Sequence, residues 1–305
     1  MTARALVAVA LLGAAPVATE YEGLCDASAV VQIDNSVVVA SDERSSSGGN
    51  ILGVYRLGVP KGRIVPMGSG EEADLEGVAR RGDRLFWIGS HGTSKDGEAR
   101  PARRVLFALR AEATPVGPRL SRAGGLYRNL LSDLARDQRY DGFGLAAAAM
   151  RAPEDGGLSI EGLTTQGDTF LIGLRSPVKG GRALVVTLLN PDGVIMGQRG
   201  RFGPPRQLDL GGRGIRAMDT RPDGSIVVVA GPPGRKGSFG VYDLTSTSMI
   251  QRAVDFGGLR PEGVAATPEG GLMFVSDDGD RKQRGQDCKD RPDSDRRFRL
   301  FYVAP

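Results

Sequence analysis

Short runs of apolar residues alternate with polar turn residues along most of the chain. Ten runs of six or seven residues are rich in Val, Ile, Leu and Phe, as is typical of strands buried on both faces. They form five pairs, each preceded by a turn rich in Gly, Asp, Asn or Pro: 36–41 with 51–57, 84–90 with 104–109, 169–175 with 183–189, 225–231 with 239–244, and 271–276 with 298–303. We predict that each pair supplies the second and third strands of a repeated antiparallel unit.

A Glu-Gly pair followed by an apolar residue opens four of the five repeats. It occurs at 22–24, 76–78, 161–163 and 262–264, and the fifth repeat, at 214–219, carries Arg216 instead of the glutamate. The repeats recur at roughly 50 residues, apart from one longer interval, and a period of that size is the signature of propeller blades. The pattern therefore predicts an all-β propeller of about five blades, with six as the alternative.

The longer interval, between Glu76 and Glu161, predicts a short helical insertion between blades 2 and 3, at about residues 121–152. Leu126, Leu130 and Leu134 fall at the spacing of one helical face, and a second short helix is predicted at 145–150. We interpret these residues as amphipathic helices that cover one face or edge of the propeller, in preference to a hidden sixth blade.

The first residues are typical of an export signal. Arg4 is followed by an almost wholly apolar stretch at 5–17, which is too short to span a bilayer. We predict a signal peptide at 1–18 and a propeller domain at 19–305, in a periplasmic or secreted protein. The alternatives for this stretch are an uncleaved anchor and a first strand.

The chain has two cysteines, Cys25 and Cys288, at opposite ends of the predicted domain. In an exported protein an even number of cysteines favours a disulfide, although two unrelated thiols are the alternative. The last repeat has no room for a fourth strand, so we expect the segment before Glu22 to supply it. A Cys25–Cys288 bond would then lock the closure of the ring.

Composition and charge argue against several classes of protein. Gly and Pro contribute 45 and 18 of the 305 residues, which excludes a helical bundle because both are poor helix formers. The net charge is only +4 and the basic residues are scattered, so a nucleic-acid partner is not expected. After signal removal we expect no membrane span, and we expect a monomer.

The predicted topology places polar residues from every repeat on one face of the propeller, because first strands start and second strands end there. The residues expected around the central opening are Glu22, Glu76, Glu161, Arg216 and Glu262. Those expected just outside them are Asp42, Arg44, His91, Arg175 and Asp277. A concave polar rim of this kind is the default ligand site of such a fold.

Two kinds of chemistry are open at this rim. Four glutamates around one axis would need compensation, either from arginines or from Ca²⁺ or another hard divalent cation. Alternatively, each glutamate accepts backbone N–H groups of the next blade. His91, the sole histidine, is a candidate acid/base or phosphate ligand, and Arg103, which lies near it in the sequence, is a candidate ligand-binding residue. The alternative role of His91 is a structural hydrogen bond.

Several segments resemble an uncharacterised family of bacterial secreted β-propellers, a domain of unknown function, over most of the chain. The segments that carry the resemblance are 87–91 with 100–101, 159–163 with 172–177, and 261–264. Through its Glu-Gly strand starts the chain is also distantly similar to the esterase-like phytase and senescence-marker/gluconolactonase propellers. Those families hold a catalytic divalent metal at the central opening. In this chain Arg216 replaces one of the glutamates, which disfavours a metal site built from carboxylates alone.

These observations favour recognition of a small anionic molecule, such as a phosphorylated one, at the central rim. The rim arginines would hold the anion through fork-like hydrogen bonds. One alternative is a metal-dependent hydrolase of phosphate esters or lactones, with His91 moving protons. Another is a protein-interaction scaffold without a small ligand.

Overall fold

A computed structural model describes residues 18–44, 50–67, 72–246 and 248–305, with the backbone alone for 42–44. These residues form five four-stranded antiparallel sheets, which are the blades of a propeller. The predicted all-β fold is confirmed, and the count is five blades. Residues 1–17, which contain most of the predicted signal peptide, lie outside the described residues.

Each blade follows the strand order expected from the repeats. The described chain begins with β1 (Ala18–Glu22). Blade 1 contains β2 (Ala27–Ile33), β3 (Ser36–Arg44), β4 (Asn50–Arg56) and β5 (Arg63–Pro66). Blade 2 contains β6 (Leu75–Arg81), β7 (Arg84–Gly89), β8 (Leu106–Glu112) and β9 (Arg119–Tyr127). Blade 3 contains β10 (Ser159–Gln166), β11 (Thr169–Lys179), β12 (Arg182–Leu188) and β13 (Arg206–Leu208).

The last two blades complete the ring. Blade 4 contains β14 (Gly214–Thr220), β15 (Ile226–Gly231), β16 (Gly240–Leu244) and β17 (Met249–Arg252). Blade 5 contains β18 (Pro261–Ala266), β19 (Leu272–Ser276), β22 (Arg297–Val303) and, as its outermost strand, β1. A small hairpin, β20 (Lys282–Gln283) and β21 (Gln286–Asp287), lies in the loop between β19 and β22.

The helices are short, and most of them follow blade 2. They are α1 (Leu130–Leu134), α2 (Leu145–Ala148) and α3 (Pro191–Ile195), with 3₁₀ turns at Pro101–Arg103, Gln138–Phe143, Pro153–Asp155, Cys288–Asp290 and Asp293–Asp295. The predicted insertion is confirmed, but it begins later than expected because Leu126 belongs to β9 and is exposed. None of the helices in the described ranges is long and apolar enough to cross a membrane.

The near-continuous apolar strands are explained by burial on both faces. Along β15, Val227 and Val229 pack against blade 5, whereas Val228 and Ala230 pack against blade 3. The described residues contain five such apolar clusters, one at each interface between neighbouring blades. The ring is therefore held together by blade-to-blade packing rather than by one central core.

The ring closes at blade 5 through the N-terminal strand, as predicted. β1 pairs antiparallel with β22, with Tyr21 opposite Phe298. Just after β1, Cys25 forms a disulfide with Cys288, and the two Cα atoms are 5.8 Å apart. The first and last parts of the described chain are thus joined both by a sheet and by a covalent bond.

The glycine of the Glu-Gly pairs is explained by close approach of neighbouring inner strands. A Cβ atom added to Gly162 would lie 2.8 Å from Cγ2 of Ile215 in the next blade. At the matching place in β18, a Cβ atom on Gly263 would lie 3.1 Å from the Cα atom of Ala29. The pair therefore joins a residue at the propeller axis with one that lets the blades meet closely.

We expect Gly162→Ala to lower the free energy of unfolding by about 1–3 kcal/mol, because the added methyl group overpacks the contact with Ile215. Chemical denaturation of both proteins measures the difference. Gly234→Ala is the matched control, since an added Cβ there meets no atom within 4 Å. Equal effects of the two substitutions would contradict this account of the repeat.

Candidate ligand-binding site

One residue near the start of each inner strand is left out of the strand pairing by a β-bulge. Such bulges turn a side chain away from the sheet, and here they occur at the same place in all five blades. The bulged residues are Ser28, Glu76, Glu161, Arg216 and Glu262. Four of these five were predicted to surround the central opening.

The prediction for the first blade was wrong. Glu22 lies at the end of β1, the outermost strand of blade 5, where it pairs with Arg297 and is far along the blade from the axis. Ser28 takes its place and donates a hydrogen bond from its hydroxyl group to the carbonyl oxygen of Leu75 at 2.5 Å. The ring therefore contains three glutamates, one arginine and one serine.

Arg216 supplies the positive charge that the glutamates require. Its Nε lies 3.0 Å from Oε2 of Glu161, and its Nη2 forms an ion pair with Oε1 of Glu262. Arg175 adds a second cation, with Nη1 at 3.0 Å from Oε1 of Glu161. Two of the carboxylates contact guanidinium groups, so arginine side chains, one of the two alternatives given by the sequence, supply compensation for these glutamates.

Glu76 is the glutamate of the ring without such a partner. Its side chain is buried, and it makes no hydrogen bond or ion pair within the described parts of the chain. Burial, together with the negative charges of Glu161 and Asp74, raises the pKa of Glu76 well above its usual value. The nearby pairs of Arg175 and Arg216 with Glu161 and Glu262 are already neutral, so the uncharged form of Glu76 is favoured.

A second acidic group lies beside Glu76. Asp74 has a positive φ of 50° and pairs with Arg103, whose Nη1 is 2.8 Å from Oδ2 of Asp74. Arg103 also contacts Glu72 at 3.1 Å. Burial raises the pKa of Asp74 to about 6 although Arg103 opposes the shift. The pKa of Asp74 therefore lies closer to neutral pH than that of an ordinary aspartate.

His91 lies in the wall behind this site. The imidazole is fully buried, its Nδ1 is 2.9 Å from the carbonyl oxygen of Gly89, and burial lowers its pKa to about 4. His91 is not among the residues that line the central cavity, so we do not assign it the proton-transfer role expected from the sequence.

Above the ring lies the central cavity, with a volume of about 480 Å³. Its wall is mostly polar and carries both signs of charge. The predicted residues that line it are Glu76, Arg103, Arg175, Arg216, Glu262 and Asp277. Below it the inner strands leave a channel of about 10 Å³, lined in part by Ser28, Glu161 and Glu262, with room for at most one water molecule. The inner strands therefore close the cavity at its lower end.

The side chains of two predicted binding residues lie outside the described structure. Asp42 and Arg44 end β3, and only their backbone is within the described structure. The predicted arginines that do line the cavity are engaged in its wall: Arg175, for example, also donates to the carbonyl oxygens of Pro233 and Gly234 at 3.0 Å. Arg103 and Arg216 are held by carboxylates in the same way.

Several residues of the cavity were missed from the sequence. The positions two residues before the bulge line the cavity in four blades: Asp26, Asp74, Ser159 and Arg260. Arg235 and Lys289 reach its mouth from loops. A usable signal existed for the first blade, because Ser28 precedes the turn at Asp34 by six residues, as Glu76 precedes Gly82.

The described side chains around the cavity do not provide a set of metal ligands. Within the described ranges, no three His, Cys, Asp or Glu side chains come together in a group that could hold a metal ion. Glu22 is remote from Glu76, Glu161 and Glu262, and Arg216 lies between the last two. The four-glutamate calcium site expected from the sequence is therefore not formed as predicted.

The middle of the chain is similar to a protein family of unknown function. Residues 120–256 match the family described as "Protein of unknown function (DUF3616)". The matched residues run from β9 to just beyond β17, and thus cover the last strand of blade 2 and all of blades 3 and 4. The resemblance to a propeller family of unknown function is confirmed, and no curated protein sequence matches the chain.

Solved structures share the architecture at low sequence identity. An exo-β-1,3-galactanase of Phanerochaete chrysosporium has a TM-score of 0.52 at 9% identity, over 94% of this chain and 63% of that one. A Trypanosoma rangeli sialidase has a TM-score of 0.43 at 12% identity, over 83% and 43%. A putative oxidoreductase (glucose dehydrogenase) of Thermus thermophilus has a TM-score of 0.41 at 17% identity, over 93% and 100%. The chain spans less than two thirds of the galactanase and of the sialidase, and these likenesses concern the fold alone.

Proposed function

We propose that the protein binds a small, strongly polar molecule with an anionic group, such as a phosphorylated one, in the central cavity. The observation that carries the proposal is Glu76. A buried carboxyl group without a protein partner is rare in folded proteins, and in a cavity it is a typical mark of a binding site. In its protonated form Glu76 donates a hydrogen bond to a ligand oxygen.

Cationic side chains at the mouth of the cavity favour an anionic ligand. Arg260 lies 3.3 Å from Asp277 and 3.9 Å from Asp280. Arg235 lies 3.2 Å from Glu154 and 3.7 Å from Asp280. Both arginines are partly exposed, and such solvated ion pairs contribute little to stability. Their guanidinium groups can therefore turn from these side chains to a phosphate or carboxylate group, which they bind through paired hydrogen bonds.

The pH dependence of binding tests the role of Glu76. We expect inorganic phosphate and glucose 6-phosphate to bind, and glucose to bind far more weakly, in calorimetric titrations. Affinity for phosphate should fall as pH rises through the pKa of Glu76, after allowance for the ligand's own titration, because the ionised carboxylate repels the anion. Glu76→Gln keeps a hydrogen-bond donor without a charge, so this variant should lose that part of the pH dependence.

The mouth arginines provide a matched comparison. Arg260→Ala should weaken phosphate binding by about tenfold, the usual loss for a charge-assisted hydrogen bond. Arg182→Ala, an exposed arginine of β12 that does not line the cavity, should have no effect. If neither anion binds wild-type protein, or if binding is unchanged in Arg260→Ala and Glu76→Gln alike, the proposed site is wrong.

A hydrolase of phosphate esters or lactones is the second candidate, and Asp74 favours it. With a pKa of about 6 next to the protonated Glu76, it offers a proton acceptor beside a proton donor near neutral pH. Turnover of p-nitrophenyl phosphate and of a δ-lactone, with and without added Ca²⁺, tests this candidate. Asp74→Asn should then abolish turnover while leaving phosphate binding intact. Absence of turnover in wild-type protein rejects this candidate but not binding.

We further propose that the protein is exported and acts as a monomer in the periplasm or outside the cell. The Cys25–Cys288 disulfide supports export, because such bonds persist in oxidising compartments. N-terminal sequencing of the mature protein should begin near Ala18 or Thr19, which would leave most of β1 in place. Size-exclusion chromatography with light scattering measures the oligomeric state.

A further inference from the structure

The helical insertion contains a second cavity that the proposed function does not use. It is an apolar groove of about 450 Å³ between α1, the turn at Gln138–Phe143 and α2, and we call it the insertion groove. Its floor consists of buried side chains from all three segments: Leu134, Tyr140, Leu145 and Ala149. The insertion groove shares no lining residue with the central cavity.

Arg104 brings a positive charge into this apolar surface. Its side chain lines the insertion groove, and its Nη2 donates a long hydrogen bond of 3.4 Å to the carbonyl oxygen of Ala149. In the described parts of the chain no carboxylate forms an ion pair with Arg104. By contrast, Arg103 and Arg175 of the central cavity are each paired with a carboxylate. A guanidinium group that lines an apolar surface without a carboxylate partner favours an anionic ligand there.

The surrounding charges add to this preference. Arg128 borders a neighbouring depression together with Arg104, and among the described residues its side chain hydrogen-bonds to the carbonyl oxygen of Pro101 and to no carboxylate. The acidic residue that lines the insertion groove, Asp141, is exposed, so water screens its charge. The end of the groove near Arg104 is therefore suited to a negatively charged group.

We propose that the insertion groove binds an amphiphilic carboxylate, such as a medium-chain fatty acid, with Arg104 as its anchor. The alkyl chain lies along Leu134, Tyr140 and Leu145, where its removal from water drives binding. The carboxylate accepts hydrogen bonds from the guanidinium group of Arg104, which fixes the direction of the chain. A volume of several hundred Å³ with an apolar lining and one well-placed polar group is typical of small-ligand pockets.

Binding of octanoate, 1-octanol and octylammonium by titration calorimetry tests this proposal. We expect wild-type protein to bind octanoate more tightly than octanol, and octylammonium most weakly. Arg104→Met keeps the length of the side chain and removes its charge. This variant should bind octanoate about tenfold more weakly, the usual loss for a charge-assisted hydrogen bond, while its affinity for octanol stays unchanged.

Two further variants separate charge from apolar contact. Asp141→Asn removes a repulsive carboxylate and should bind octanoate at least as well as wild-type protein. Ala146→Asp places a new charge at an exposed position of the groove and should weaken both octanoate and octanol. Thermal melting of each variant without ligand verifies that it is folded.

The proposal is overturned if wild-type protein binds none of the three compounds, which would leave a protein partner as the occupant of the groove. It is also overturned if Arg104→Met reduces the binding of octanol and octanoate equally, because the arginine would then only shape the groove. Neither outcome bears on phosphate binding in the central cavity, since the two sites share no residue.

Discussion

Replacing Cys25 and Cys288 together by alanine should lower the free energy of unfolding by about 5 kcal/mol. The bond joins residues 263 positions apart, and a cross-link over so long a loop removes much of the entropy of the unfolded chain. It also holds the loop between β19 and β22 against the start of blade 1, where the nitrogen of Asp278 donates to the carbonyl oxygen of Cys25 at 3.0 Å. Denaturant unfolding with and without a reducing agent measures the effect.

The reducing agent provides the internal control for the cysteine prediction. Wild-type protein should lose about as much stability on reduction as it loses on double substitution, and the double variant should not respond to the reagent. If the double variant unfolds at the same denaturant concentration as oxidised wild-type protein, the seam is held by strand pairing of β1 with β22 and by apolar packing alone.

Replacing Arg216 by methionine should lower the free energy of unfolding by about 3–5 kcal/mol at neutral pH, the usual loss when one partner of a buried ion pair is removed. Arg216 is 3% exposed and contacts both Glu161 and Glu262. Without it, Glu262 loses its ion-pair partner at the axis, and Glu161 keeps Arg175 alone. Thermal and denaturant unfolding of the variant measure the loss.

The loss caused by Arg216→Met should depend on pH in a defined direction. Unpaired buried carboxyl groups have folded-state pKa values above their unfolded values near 4.3, so they destabilise the protein increasingly as pH rises through the folded-state pKa. We therefore expect the deficit to be smallest below about pH 4 and largest above pH 7. Adding Glu262→Gln to the variant should restore part of the stability at neutral pH. A deficit independent of pH would show that lost packing, not charge, is responsible.

The strands and turns of each blade could be predicted from the sequence because they depend on local features. The turn at Asp34 and Asn35 and the apolar run that follows it contain the information for a hairpin of β2 and β3 within a few residues. Burial on both faces leaves its own mark, an unbroken apolar run, which the packing of Val227 and Val228 in opposite directions explains. With two cysteines the sequence allowed one pairing or two unrelated thiols, and the structure shows the pairing.

The residue of blade 1 that lies at the propeller axis was predicted wrongly. The prediction relied on the Glu-Gly motif and not on the distance to the following turn. Glu22, Gly23 and Leu24 match the Glu-Gly pattern, but they lie before the inner strand of blade 1, at the end of a strand that belongs to blade 5. Ser28 lacks the motif and has the correct distance to the turn. Residue type varies among blades at this place, whereas the bulge and its spacing do not.

The candidate site was only partly determined by the sequence. Its repeats indicated which face carries the polar residues and that Glu76, Glu161, Arg216 and Glu262 approach one another. Tertiary structure alone decided which charges neutralise each other: Arg216 pairs with glutamates of the blades on both sides of its own, far away in the chain. Glu161 and Glu76 also differ in their surroundings, which only the structure reveals. Glu161 contacts two arginines, whereas Glu76 contacts neither of them and has a raised pKa because of burial. Desolvation and ion pairing depend on distances in space, and a residue's place in the sequence does not contain them.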